Sequence, residues 1–433
     1  IYNANGKLYI GYTANGAIFN NYSGATITIG ANGLVKIGQA AAQQGTLNNA
    51  GTINNNATIS STSYGLILAY GALNNNSGGV INNGNSSNFS PYLYINLGYT
   101  LTNSGTINNY AGISGGSIKG RLFIYGSLIN NSGGIINNYG TPGGTDYGFI
   151  YYTGSLTNNS GGIINNNSNG FIEVKTINNY GTYNEKGVNW VDGGYLISVN
   201  YGGSTFTNYS GATYTLPTDA SGYVYVGYST TYTGTFNNNS GATYTCNKNG
   251  GVNIILDQGG ILNNAGTFNN NSAQLVVSKY GVGGTLNNSG TYNEGNSTIA
   301  FTAATITNTG TFNILSTGSL TSDVNITNTN PGIINNSGTL FLRNSSGNGP
   351  YISGTGSFTT SENSWVKLEN VSGSTDFINS GTGSGNIRVS GTRTWNAGTN
   401  FYLSSPIAMT TGNGFPATAG NFEASVPGGL SLN

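Results

Sequence analysis

Apolar side chains fall along this chain in short recurring runs separated by Asn, Gly, Ser and Thr. The repeated unit reads Gly-(Thr/Ser/Ala)-apolar-(Asn/Thr)-Asn-(Asn)-(Ser/Ala/Tyr)-Gly-(Thr/Gly/Ala)-apolar-Asn-Asn. Clear copies are Gly45-Thr-Leu47-Asn-Asn-Ala-Gly51-Thr-Ile53-Asn-Asn55 and Leu101-Thr-Asn-Ser-Gly105-Thr-Ile107-Asn-Asn109. Two longer ones set Leu128 before Ile135 and Leu156 before Ile163, and later copies centre on Ile177, Phe206, Phe236, Leu262, Leu286, Ile306 and Ile333. The first apolar position recurs from Leu47 through Leu73 to Ile306 at spacings of about 20 to 30 residues, the window of solenoid repeats.

No run shows apolar residues at i, i+3, i+4 and i+7, so helix is nearly excluded. Between the signatures lie β-branched and aromatic strands such as Leu66-Ile-Leu-Ala-Tyr70, Arg121-Leu-Phe-Ile-Tyr125, Tyr223-Val-Tyr-Val-Gly227 and Gln274-Leu-Val-Val-Ser278. Within the signature the pattern reads strand, corner, strand. The two apolar side chains point inward, and Asn-Asn-Ser-Gly makes the corner because Asn and Gly accept positive φ cheaply. Stacking then sets each corner Asn above its equivalent at roughly 4.8 Å, close enough for amide ladders. The expected fold is all-β: a single-stranded, right-handed β-solenoid (parallel β-helix) with about 20–30 residues per coil. About fourteen coils give a rod of about 60–70 Å with two strand edges at its ends.

The chain divides into residues 1–44 (N-terminal coils or a cap), 45–340 (the Asn/Gly-rich repeats) and 341–433 (divergent coils or a C-terminal cap). In the last part the Asn-Asn signature fades while Trp365, Trp395, Arg388 and Arg393 appear.

Composition narrows the function. Charged residues are only 6% of the chain, against about 25% for an ordinary soluble domain. Net charge is zero. Solubility then rests on amide and hydroxyl hydration or on attached sugars, or the chain is built to assemble. The basic residues are scattered from Lys7 to Arg393, so no nucleic-acid partner is expected. No apolar run approaches the ~20 residues of a membrane span. With no His and only Cys246, disulfide scaffolds, zinc sites and nucleophilic triads lose their usual residues. The start at Ile1 without Met suggests a mature product or an excised segment.

The repeat resembles the β-helical shafts of haemagglutinin-like adhesins and other repeat-rich bacterial surface proteins. The stretch Val389-Ser-Gly-Thr-Arg-Thr-Trp395-Asn-Ala-Gly-Thr-Asn400-Phe-Tyr, with Thr411-Gly-Asn-Gly-Phe-Pro416-Ala-Thr, is similar to segments of very large exported surface proteins of Gram-negative bacteria. Such chains also carry an export or sorting domain at one terminus. None is visible here, which suggests a fragment of something longer.

Some parallel β-helices cleave polysaccharides with clustered carboxylates. The tightest grouping here, Glu173, Lys175, Glu185, Lys186 and Asp192, reads as solvated surface charge. No catalytic residue, cofactor site or metal site is assigned. Asp192-Gly-Gly and Asp257-Gln-Gly-Gly are isolated and out of register for calcium-binding repeats. Ice binding is a further alternative, through Thr-x-Thr triads such as Thr26-Ile-Thr28, Thr213-Tyr-Thr215 and Thr243-Tyr-Thr245, but these do not recur in consecutive coils and several hold a central aromatic.

Seventeen Asn-x-Ser/Thr sequons occur, and Asn21, Asn75, Asn130, Asn208, Asn238, Asn287 and Asn335 are candidate glycosylation sites at the corners. Tyr22, Tyr110, Tyr139, Tyr180 and Tyr209 sit in or beside corners, as candidate surface contacts for glycans or a neighbouring rod. The expectation is an extracellular, cell-surface protein that is structural or adhesive and not an enzyme. It either self-associates end to end or side by side as a filament subunit, or stays discrete as a carbohydrate-binding adhesin shaft.

Overall fold

The structure is a computed structural model. It describes residues 2–3, 6–13, 15–57, 65–84, 91–111, 121–140, 148–191, 203–272, 274–277, 283–295, 298–301, 305–343, 350–369, 377–378 and 385–432. Asp192 lies outside them. The described residues form short strands joined by turns and contain no helix. The fold is a parallel β-solenoid. Each coil is three strands, and each strand pairs in parallel with its counterparts in neighbouring coils, giving three ladders. Contacts divide the chain into two units, Ile1–Tyr225 and Val226–Asn433.

One coil of the first unit shows the plan. Gly45–Asn49 lies in the first ladder, Thr52–Asn55 in the second and Gly65–Leu68 in the third. Alternation along Thr52-Ile-Asn-Asn55 turns Ile53 and Asn55 inward and Thr52 and Asn54 outward, as the period of two requires. The inward column of the first ladder runs Phe19, Leu47, Leu73, Leu101, Leu128, Leu156, Ile177, Phe206. That of the second runs Ile27, Ile53, Ile81, Ile107, Ile136, Ile164, Tyr183, Tyr214. Leu66, Leu93, Leu122, Ile150 and Ile172 fill the third. Like stacks on like, so one coil's Leu covers the next, and a core too thin for a single coil is closed by its neighbours.

The second unit repeats the plan with larger side chains. Its first ladder stacks Phe236, Leu262, Leu286, Ile306, Ile326, Ile352 and Ile387. In its second ladder Tyr244, Phe268, Tyr292 and Phe312 form an internal aromatic stack, with centroids 4.1, 4.9 and 4.6 Å apart and planes within 13°. Coils continue through the divergent tail, where Leu340 pairs with Val366, Val366 with Phe401 and Phe401 with Phe422. Pairing also runs through residue 44, since Ala17 pairs with Gly45. Neither expected boundary interrupts a ladder.

Three sequence readings change. Ile135, Ile163 and Ile333 are not the inward residues of their copies. Ile136, Ile164 and Ile334 are, because the four-residue corner (Asn-Ser-Gly-Gly, or Thr-Asn-Pro-Gly before Ile333) is two residues longer than the short one and so keeps the second inward position in phase with Leu128, Leu156 and Ile326. The corner Asn form two kinds of ladder, not one. The last Asn of each strand is buried inside the corner, while the Asn before it ladders separately on the outside. Glu173 and Glu185 are not solvated surface charge, because strand alternation turns Glu185 into the core and Glu173 too is fully buried.

Candidate functional site

Two inward amide ladders run up the first unit. From Asn21 through Asn49, Asn75, Asn103, Asn130, Asn158 and Asn179 to Asn208, each Nδ2 donates to the next Oδ1 at 2.7–2.8 Å. Each amide also donates to a carbonyl where the next coil turns into its second strand, as Asn130 Nδ2 does to Ile163 O at 3.2 Å. A corner breaks the regular backbone pairing, and the amide satisfies a carbonyl that water cannot reach. Asn55, Asn83, Asn109, Asn138 and Asn166 build the second ladder, which ends on Glu185 Oε1 at 2.6 Å. In the second unit Asn238, Asn264, Asn288, Asn308 and Asn328 repeat the device.

The outer ladders run the other way. Asn82 donates back to Asn54, Asn108 to Asn82, Asn137 to Asn108, Asn165 to Asn137 and Asn184 to Asn165, at 2.8–2.9 Å. Inner and outer rows of side-chain dipoles therefore oppose one another.

This arrangement decides the fate of the candidate glycosylation sites. Asn21, Asn75, Asn130, Asn208 and Asn238 are buried, and the Nδ2 that would carry a sugar donates within the ladder at Asn21, Asn75, Asn130 and Asn238. Asn287 and Asn335 lie half-buried in outer ladders, donating to Asn263 and Asn313 at 2.9 and 2.8 Å.

The buried carboxyls Glu185 and Glu294 lie in separate units. Glu185 accepts from Asn166 and, at 3.1 Å, from Tyr214 Oη, and burial pushes its carboxyl up to about 8 against these hydrogen bonds. Glu294 takes the same place in the second unit, accepting from Asn270 and Tyr292 at 2.9 and 3.2 Å. Both lie in Thr-Tyr-Asn-Glu strands, and neither reaches solvent. Lys186, the residue after Glu185, turns outward and pairs with Asp219 at 2.6 Å. Among the described residues no three His, Cys, Asp or Glu gather as a metal would need. The central aromatics of the Thr-x-Thr triads, Tyr214 and Tyr244, are buried, while Thr213 is exposed and Thr215, Thr243 and Thr245 are half-buried.

The candidate tyrosines fall into separate places. Tyr110 and Tyr139, at the ends of second-ladder strands, stack at 4.9 Å and 8°. Tyr180 and Tyr209, just past the inward Asn of the first ladder, stack at 4.1 Å and 9°, and Tyr209 Oη donates to Asn178 Oδ1 at 3.3 Å. Tyr22 stands 70% exposed. Coil stacking makes pairs of them but does not bring the five together.

A larger aromatic face was missed. On the outside of the third ladder, Tyr92, Arg121 and Phe149 occupy one column, and Tyr94, Phe123 and Tyr151 the next. Tyr125 and Tyr152 flank them, so that Tyr94, Tyr125 and Tyr152 follow one another at 5.0 and 4.1 Å. The Arg121 guanidinium carbon lies 5.9, 5.9, 5.9 and 5.6 Å from the rings of Tyr92, Phe123, Phe149 and Tyr151. Its Nη1 donates to Tyr151 Oη at 2.9 Å. Burial pushes the Tyr151 hydroxyl well above its ordinary range, and Arg121 only partly opposes that. Tyr152 holds φ at 115°, a backbone position unusual for a residue with a Cβ. The signal was readable: aligning Tyr92-Leu-Tyr-Ile with Arg121-Leu-Phe-Ile sets Arg121 on Tyr92 and Phe123 on Tyr94 at the two alternate positions that face away from the core.

No family model matches the chain, and no curated protein matches it. Among solved structures it is similar to the crystal structure of the TibC-catalysed, hyper-glycosylated TibA fragment, at 14% identity over 100% of this chain and 99% of that one, with a TM-score of 0.26. At that score the likeness says nothing of what this chain binds, and the assignment that stands is the fold itself, a parallel β-solenoid stiffened by amide ladders.

Proposed function

We propose that this chain is an extracellular, cell-surface β-solenoid with a structural and adhesive role and no catalytic one. The observation that carries the reading is the unbroken inward ladder from Asn21 to Asn208. A chain that seals its corners with buried amides, coil after coil, gains stiffness and resistance to proteolysis. Its buried carboxyls serve that interior and do not face a substrate. The outside is poor in charge and carries stacked tyrosines, whose apolar faces and polar tips suit sugar rings or a neighbouring shaft.

Two roles share this architecture. A filament subunit self-associates end to end or side by side. An adhesin shaft stays discrete and displays a glycan-binding face, and the half-buried aromatic cluster around Arg121 favours this second role. Negative-stain electron microscopy across a concentration series separates them. Filaments of constant width that lengthen with concentration support the subunit. Discrete particles that then capture glycans on an array support the shaft. Discrete particles that bind no glycan and never associate would overturn both.

A further inference from the structure

Among the described residues Arg121 is a cation with no anion. Its guanidinium sits among four aromatic rings, at the 5.6–5.9 Å given above, and among the described residues its one hydrogen bond is to Tyr151 Oη at 2.9 Å. The Nε is buried and has no acceptor. No carboxylate of the described residues pairs with it. The acidic residue nearest in register, Glu173, stands in the adjacent column beyond Tyr151 and makes no ion pair with Arg121. Aromatic faces attract a guanidinium but accept no in-plane hydrogen bonds, and an under-bonded Arg fork fits a planar, bidentate anion. Ring faces stand on either side along the column: Tyr92 in the coil before and Phe149 in the coil after, both half-exposed.

We infer that this face is a binding site for a glycan bearing carboxylates, a uronic-acid type of sugar. The carboxylate meets the Nη end of the half-buried Arg121 fork, and the apolar face of the pyranose lies on Tyr92 or Phe149. The rings also hold the guanidinium in place before the ligand arrives, so little side-chain entropy is lost on binding. The inference rests on the adhesive reading above and deepens it by naming the ligand's charge.

The test is isothermal titration of the full chain with tetragalacturonate, and with the same oligosaccharide methyl-esterified, which keeps the rings and removes the charge. The free acid should bind, and the ester should bind about tenfold more weakly or worse. Arg121→Gln should lose about the same factor. Arg121→Lys, which keeps the charge without the fork, should fall between. Thermal melts of both variants should stay cooperative and fall by no more than a few degrees, since each loses contacts with the rings but no ladder bond. Equal binding of acid and ester, or unchanged binding by a folded Arg121→Gln, overturns the site, as does no binding of tetragalacturonate. If that failure comes with capture of neutral glycans on an array, the adhesive reading survives. If no glycan binds at all, it falls too.

Discussion

Two chemically identical Asn residues, one position apart, carry very different shares of the stability. Asn130 is fully buried, accepts from Asn103, donates to Asn158 and also donates to Ile163 O. Its replacement by Ala strands a donor, an acceptor and a corner carbonyl in a dry interior, so Asn130→Ala should cost about 2–4 kcal/mol in urea unfolding. Asn137 belongs to an outer ladder where water replaces a lost bond. Asn137→Ala should cost under about 1 kcal/mol in the same experiment. Comparable losses at the two positions would mean that the inward ladder is not what seals the corners. Glu185 gives the interior a pH dependence. Its folded value near 8 lies above the ordinary 4.5, so the folded state holds the proton more tightly than the unfolded chain. Stability from this residue is therefore complete below about pH 4.5 and is lost progressively as pH rises to about 8. Glu185→Gln, which cannot ionise, should flatten that part of the stability–pH curve, as followed by unfolding midpoints between pH 5 and 8. An unchanged slope would show that the carboxyl is not held neutral.

At the scale of the strand and its corner, glycines do two separate jobs. In the long corner, Gly133 has φ of 76° and open space where a Cβ would go, so only its backbone conformation asks for glycine. In the short corner, a Cβ on Gly105 would lie 2.2 Å from Gly79 O in the preceding coil. That clash is with backbone and cannot be relieved by a rotamer change. Gly133→Ala should cost about 1–2 kcal/mol from strain alone. Gly105→Ala should cost about 3 kcal/mol, because the coil must move off its neighbour. Thermal melts of the two variants measure the difference, and equal effects would put strain, rather than inter-coil contact, in charge of both corners.

At the scale of the whole molecule, equivalence between coils makes whole-coil changes gentler than small ones. Deleting residues 101–127 removes one turn and brings Leu128 onto Leu73 and Asn130 onto Asn75, each an equivalent of the residue lost. The shortened protein should keep its far-UV circular dichroism signature per residue and unfold cooperatively. Deleting about half as many residues destroys the register of all three ladders locally, and that variant should aggregate or melt far lower. If both deletions behave alike, stacking of equals is not what specifies the coil.

The sequence by itself determined the repeat, its strand chemistry and the apolar residue that each first-ladder strand turns inward, because a solenoid stacks each residue on its own equivalent and so prints its contacts as a sequence period. Leu47, Leu73, Leu101, Leu128 and Leu156 could be placed in one column on that ground alone. Only the tertiary structure showed that the Asn two residues after each inward Leu is sealed from water and bonded to its equivalents. Corners of two lengths, two residues apart, hid which apolar residue of the following strand turns inward, as Ile135 and Ile136 show. The burial of Asn130 and its fellow sequons follows from their place two residues after Leu128 and its equivalents. The tertiary structure also assembled Tyr92, Arg121, Phe149 and Tyr151, because side chains from successive coils, far apart in the chain, become neighbours only when the ladder is in register.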